Sequence, residues 1–351
     1  MNFRTLNKNL PPIDSAAGAL ARAKWDAIAK PLGSLGLLED YIVKIAALTG
    51  DANVRLRRRA VLVLCADNGV VAEGVTQTDS NVTMLVAESL TRRGSAVCLM
   101  AEGAGADVFA VDMGMNTRPG FEGLIDRRIA DGTKNLAHEP AMTREQAERA
   151  VLCGIELAED MSARGYDIVC TGEMGIGNTT TAAAVCAALL SLDAEAVTGR
   201  GAGLSDEGLE RKKRVIRDAL AFHAPEGEDV IGTLSKVGGF DIAGMAGIFI
   251  GGARCGLPVV IDGFISSVAA LTAARLCPGC AGAMLASHVS GEPAGQKVLR
   301  ALDLAPLITA GMRLGEGTGA VSALPLLDLA LCVYHGSASF GELGMSAYEK
   351  L

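Results

Sequence analysis

Aromatic residues are scarce in this chain, at 4% of 351 residues with a single tryptophan. A surface that binds nucleic acid combines basic groups with stacking rings. Here acidic residues outnumber basic ones, 40 to 32, for a formal net charge of −8, so nucleic acid is not an expected partner. Histidine is equally thin: His138, His223, His288 and His335 are scattered, with no paired spacing of the kind that holds zinc. Cys277-Pro278-Gly279-Cys280 has the spacing of a redox or zinc turn. No second pair completes a metal set, and the turn reads as the end of a helix. No metal and no cofactor is expected.

Cysteines number nine, an odd count, and Cys65, Cys98, Cys153, Cys170, Cys186, Cys255 and Cys332 stand in apolar segments. They read as small buried hydrophobes of a reducing compartment. Charge-free apolar runs are short: residues 182–192 form one of the longest, well below the ~20 residues of a membrane span. The opening Met1-Asn2-Phe3-Arg4-Thr5-Leu6-Asn7-Lys8 lacks the charged-then-apolar pattern of a signal peptide. A cytoplasmic location is expected. The basic run Arg55, Arg57, Arg58, Arg59 directly precedes an apolar strand and reads as a solvated strand entrance.

Glycine is abundant, with 43 residues, and it gathers around two glutamates. One lies in Gly172-Glu173-Met174-Gly175-Ile176-Gly177-Asn178-Thr179-Thr180 and the other in Gly315-Glu316-Gly317-Thr318-Gly319. Such clustering suits places where backbone must approach a ligand closely. Apolar runs at residues 60–66, 107–111, 167–170 and 258–261 each end in polar-glycine turns. Helical patterns lie between them, at about residues 79–103, 143–164, 178–191 and 264–276. Thr143 before Gln146 has capping-box spacing, and Ser205 before Gly208 is a second N-cap candidate. Strand, polar loop and helix in alternation predict an α/β fold with a mainly parallel sheet flanked by helices. Both ends of the chain are helical in pattern. We therefore expect a large α/β domain over residues 51–319 and a smaller helical domain built from residues 1–50 plus 320–351. In such sheets the ligand lies beyond the carboxyl ends of the strands, where the polar-glycine turns fall.

The loop at 172–180 leads from a strand into a helix, which presents unpaired N–H groups and the positive dipole end to a phosphate. Asn178, Thr179 and Thr180 add donors. The pattern is neither a Walker loop nor G-x-G-x-x-G, which disfavours ATP hydrolysis; a tight packing turn is the alternative reading. Thr198-Gly199-Arg200-Gly201-Ala202-Gly203 is a second glycine stretch, with an arginine able to fork onto phosphate or carboxylate. Lys212 and Lys213 follow on a helix, and either alone also reads as a solvated face. Glu316 suits a general base if its pocket is partly desolvated, which raises a carboxyl pKa. As a helix N-terminal acid it would instead be lowered. Ser287, His288 and Glu292 fall close together, but the nucleophile elbow G-x-S-x-G is absent, so the segment reads as a polar substrate loop.

Taken together, these segments resemble the nicotinate-nucleotide–dimethylbenzimidazole phosphoribosyltransferase family. The similar stretches cover most of the chain. They run from Lys30-Pro31-Leu32-Gly33-Ser34-Leu35-Gly36 with Glu39, through Ala66-Asp67-Asn68-Gly69-Val70 and Gly132-Thr133, to Gly238-Gly239-Phe240-Asp241, Asp262-Gly263-Phe264 and Arg313-Leu314-Gly315-Glu316-Gly317-Thr318-Gly319. The resemblance implies a Rossmann-like sheet, a homodimer, and transfer of phosphoribose from nicotinate mononucleotide to 5,6-dimethylbenzimidazole. It makes Glu316 the base. It assigns ribose and phosphate to Glu173, Gly175, Ile176, Gly177, Asn178, Thr179, Gly201, Lys212 and Lys213. Asn68, Gln77, Ser80, Met84, Ser290 and Leu314 become candidates for the base pocket. Asn68 stands where the family often has histidine, and Thr76-Gln77-Thr78-Asp79 replaces a common Tyr-Pro pair. The acceptor therefore stays open among dimethylbenzimidazole, other benzimidazoles, purines and phenolics. Nucleotide hydrolysis and non-catalytic nucleotide sensing are the rival readings.

Overall fold

The structure, a computed structural model, describes residues 10–348. The opening octapeptide and the first part of the amino-terminal helical segment lie outside the described residues. Six parallel strands form one sheet in the order β3-β2-β1-β4-β5-β6. They are β1 (Arg59–Ala66), β2 (Ala106–Gly114), β3 (Ile125–Asp126), β4 (Ile168–Met174), β5 (Val259–Ile261) and β6 (Met284–Ala286). The expected α/β fold with helix-flanked parallel strands is what the chain adopts. The two edge strands β3 and β6, of two and three residues, are not among the apolar runs singled out in the sequence.

Every residue of β1 after Arg59 is buried, as a central strand requires. Its side chains alternate. Ala60, Leu62, Leu64 and Ala66 face a core made with helices Arg144–Ala163, Asn178–Leu190, Phe240–Cys255 and Phe264–Leu276. Val61, Val63 and Cys65 face the opposite core, closed by Ser15–Ala27, Leu37–Thr49, Asn81–Thr91, Ala96–Gly103 and Thr318–Gly336. The helical stretch expected at 79–103 is two helices, interrupted at Arg93, whose φ is +62°. The capping box at Thr143 and Gln146 is complete, and Ser205 caps the helix Asp206–His223 through Gly208.

Helix Thr318–Gly336 is long and apolar enough to cross a membrane by length and composition alone. Its inner face, with Val321, Leu324 and Leu327, is packed in the core, and Asp328 accepts from Arg59 at 2.9 Å. Core packing accounts for its composition. Tyr334 of the same helix meets Trp25 with ring centroids 5.0 Å apart, and Ile28 bridges Ser339. The described residues of the two terminal segments thus pack together against one face of the sheet. The Arg55–Arg59 run holds the amino end of β1: Arg59 also donates to Ala104 O at 2.8 Å, and the Arg58 guanidinium lies 4.7 Å from the Tyr166 ring centre.

Candidate active site

The strand order is that of the doubly wound dinucleotide folds, and it reverses between β1 and β4. Loops leaving the carboxyl ends of two such neighbours diverge to opposite faces and leave a crevice. Asp67 and Asn68 follow β1, and Gly175, Ile176 and Gly177 follow β4. A cleft of about 210 Å³ opens beside this crevice, beyond the carboxyl ends of β4, β5 and β6, lined by both caged glutamates together with Asn178, Thr179, Asp262 and His288.

The two glycine cages touch. A side chain on Gly172 would begin 2.5 Å from the Glu316 carbonyl oxygen, and one on Gly315 would begin 2.6 Å from Glu173 Oε1. Glycine at each position lets the two loops approach to backbone contact. Glu173 is buried, and its Oε2 accepts a hydrogen bond from Asn178 Nδ2, which also donates to Asp241 Oδ2 at 2.9 Å. Burial first, and then the Asp241 charge, push the Glu173 pKa well above the usual carboxylate range. Burial also takes Asp241 up to about 6.

Glu316 sits in the left-handed region at φ +61°. Its Oε2 accepts from Val97 N at 3.4 Å, at the start of helix Ala96–Gly103. Burial raises its pKa, the Val97 amide opposes the shift, and the charge of Asp262 adds to it. Of the two readings of the 315–319 loop, the raised proton affinity fits the desolvated one. The result is a half-buried carboxyl that accepts a proton more readily than a surface glutamate.

On the phosphate side, Gly177 caps helix Asn178–Leu190 at φ +91°. Lys212 is 1% exposed, and its Nζ donates to Thr179 Oγ1 at 2.7 Å. Burial takes its pKa down to about 8, against the pull of the Glu292 charge. Glu292 accepts from Gly201 N at 3.1 Å, tying the second glycine stretch to the 287–293 loop.

Of the residues singled out in the sequence, Glu316, Glu173, Gly175, Ile176, Asn178, Thr179, Gly201, Ser290 and Leu314 line this cleft. Gly177 and Gln77 line an adjoining cavity of about 80 Å³, where the Gln77 side chain donates to Gly203 O. Lys212 stands behind Thr179. Lys213 is half-buried and pairs with Glu210 at 2.8 Å. Asn68 is buried behind the β4 loop, with Nδ2 3.4 Å from Ile176 O. Ser80 precedes helix Asn81–Thr91, and Met84 packs from that helix against the core. Arg200 is held by Leu204 O at 2.8 Å and by Asp206. Asp241 and Asp262 went unassigned in the sequence reading, because their contacts are with residues far along the chain. A polar residue directly after an apolar strand was the available signal for Asp262.

Residues 10–345 match a sequence family described as phosphoribosyltransferase. A nicotinate-nucleotide–dimethylbenzimidazole phosphoribosyltransferase of Acetivibrio thermocellus is 42% identical over 99% of both chains. One of Roseiflexus sp. is 46% identical over 95% of both. The crystal structure of CobT from Thermus thermophilus superimposes with a TM-score of 0.90 at 43% identity, covering 95% of this chain and all of that one. A second structure from that organism carries the nicotinate-nucleotide–dimethylbenzimidazole phosphoribosyltransferase name, with a TM-score of 0.89 at 42% identity. With the family match, the full-length identity and the fold in agreement, the chain belongs to the nicotinate-nucleotide–dimethylbenzimidazole phosphoribosyltransferase family.

Proposed function

We propose that this protein transfers the 5-phosphoribosyl group of nicotinate mononucleotide to 5,6-dimethylbenzimidazole or a related base. The products are α-ribazole 5′-phosphate, nicotinate and a proton. One observation carries the reading: a half-buried glutamate of raised proton affinity and a second, buried carboxyl line one cleft beyond the carboxyl ends of β4, β5 and β6. Nicotinate bound through its ring nitrogen is a cationic leaving group. As the C1′–N bond breaks, its electron pair returns to the pyridine nitrogen, and positive charge develops on the sugar. Glu173 and Asp262 give the cleft an acidic lining that favours such charge. One azole nitrogen bonds to C1′ from the opposite face, inverting β to α. The N–H proton of the other nitrogen passes to the Glu316 carboxylate.

In this reading the helix start at Asn178 and Thr179, with Lys212 behind it, holds the phosphate. Lys213, paired with Glu210, stands next to Lys212 on the same helix. Residues 51–319 form the catalytic domain, and residues 1–50 plus 320–351 a small helical one; the Trp25–Tyr334 contact supports that grouping. The protein works as a cytoplasmic homodimer. Free cysteines support the first part, and exposed Leu20, Leu99 and Leu329 are apolar surface for a partner subunit to cover.

The test is nicotinate release from nicotinate mononucleotide, with and without dimethylbenzimidazole, for wild type and Glu316→Gln. Loss of a general base lowers the rate by ~10²–10⁴-fold. A near-full rate in the variant would refute the role of Glu316. Full release without the base would make the protein a nucleotide hydrolase, and binding without turnover would make it a sensor.

A further inference from the structure

Taking Glu316 as the base, as above, we propose that Asp262 is its positioning residue. Its carboxylate, brought in from the end of β5, fixes the backbone of the Glu316 loop and sets the electrostatic setting of the Glu316 carboxyl. Asp262 is 2% exposed. Its Oδ1 accepts from Gly319 N at 2.7 Å and Ala320 N at 3.1 Å, and its Oδ2 accepts from Gly317 N at 3.2 Å. These donors belong to the N-cap and first turn of helix Thr318–Gly336, whose amides have no partner within the helix. The cap comes from a different strand, because Gly317 has no side chain to supply one.

Glu316 is the residue directly before that cap. A non-glycine side chain in the left-handed region persists only where its surroundings over-determine it. Asp262 holds the chain on one side of Glu316, and the close approach of Gly172 limits it on the other. Asp262 is itself confined. Ser287 Oγ donates to the Asp262 carbonyl at 3.1 Å and lies 3.1 Å from His288 Nδ1. A side chain on Gly319 would begin 1.9 Å from that same ring nitrogen. The imidazole therefore fills the space beside the cap. Burial lowers the His288 pKa and raises that of Asp262, the neighbour's charge and the three amides opposing the rise.

The groups bearing on Glu316 come from four elements. Val97 N and Ser95, at the start of helix Ala96–Gly103, favour the ionised form. Asp262 after β5 disfavours it, and the Glu173 and Glu316 charges oppose each other across the cleft. Arg313 lines the same cleft. Removing the Asp262 charge thus lowers the Glu316 pKa, and the base is ionised at lower pH.

The test measures kcat, KM and the pH dependence of kcat/KM for Asp262→Asn, Asp262→Ala, Glu316→Gln and the Asp262→Ala/Glu316→Gln pair. Asparagine keeps one acceptor oxygen for Gly319 and Ala320 but no charge. We expect kcat to fall about tenfold and the acid limb of kcat/KM to move to lower pH. Alanine should lower kcat about 10²-fold with KM for nicotinate mononucleotide changed by less than about threefold, as for a misplaced catalytic group. The paired variant should be no slower than Glu316→Gln alone, because the two act as a unit. A residue that only stabilised the fold would lower the melting temperature and leave the acid limb in place. Wild-type kcat and an unmoved limb in both Asp262 variants, with Glu316→Gln inactive, would overturn the proposal while sparing the base. An active Glu316→Gln would instead remove the base itself. If the alanine variant does not fold, the acid limb of Asp262→Asn decides.

Discussion

Gly172→Ala tests the contact between the two glycine cages. Gly172 lies within β4 and not at a positive φ, so alanine meets no backbone strain of its own. Its Cβ would begin 2.5 Å from the Glu316 carbonyl oxygen, 2.7 Å from the carbonyl carbon and 2.9 Å from Gly317 N. Ordinary contact starts at 3.4 Å, so the shortfall at the oxygen is about 0.9 Å. All three atoms are backbone, and no rotamer change relieves them. The 315–319 loop must move away from β4, and it carries the Glu316 carboxyl with it. A displacement near 1 Å at a reacting group is worth up to ~10²-fold in rate. Overpacking a tight core site typically destabilises by about 1–3 kcal/mol. The expected result is a kcat for nicotinate release down about 10- to 100-fold, with folding retained at 25 °C. Gly103→Ala is the control. Gly103 ends the helix Ala96–Gly103, and nothing lies within 4 Å of where the alanine methyl would stand. That substitution should add about 0.5 kcal/mol of stability without changing kcat. A Gly172→Ala enzyme within twofold of wild-type kcat would refute the idea that cage contact sets the position of Glu316.

Lys212→Met should separate binding from stability. Loss of a charge-assisted contact to phosphate, at about 1.5–3 kcal/mol, predicts a KM for nicotinate mononucleotide raised ~10- to 100-fold. The folded pKa of about 8 lies below the ordinary 10.5, so folding disfavours the charged lysine; removing it should raise the melting temperature at pH 7. The wild-type kcat/KM should fall as pH rises through about 8, and the variant should lack that limb. An unchanged KM in steady-state assays would count against Lys212 as a phosphate ligand. Lys30→Met probes the amino-terminal motif. Glu39 is fully buried, with Lys30 Nζ at 2.6 Å, Leu35 N at 3.0 Å and Arg22 at 3.6 Å. Stranding a buried carboxylate costs about 3–5 kcal/mol, which the Arg22 contact reduces to roughly 2–4 kcal/mol. Urea unfolding measures it, and a loss under about 0.5 kcal/mol would refute the structural role.

Local signals carried much of the fold. The capping box at Thr143, the N-cap at Ser205, the strand β1 and the helices Asn178–Leu190 and Phe264–Leu276 all stand where the sequence placed them. Helix Phe240–Cys255 did not announce itself. It is buried on almost every side, so it has no polar face to give a 3.6-residue period. Two of its glycines, Gly244 and Gly247, approach Gly154 of helix Arg144–Ala163 more closely than any side chain would allow. A glycine-rich segment of that kind reads locally as a loop.

By itself the sequence determined the class of fold, the two glycine-caged glutamates, the glycine-led helix start at Asn178 and the family, because each rests on residues a few positions apart or on ordered motifs. Only the tertiary structure decided how the cages differ. It pressed Gly172 against Glu316, and placed Asn178 between Glu173 and Asp241. It brought Asp262 from β5 to cap a helix that begins 56 residues later, and buried Lys212 against Thr179. Those choices follow from crossover connections that bring the carboxyl ends of β1, β4, β5 and β6 to one edge of the sheet. Burial there then raises the proton affinity of carboxyls that would be ordinary acids in water.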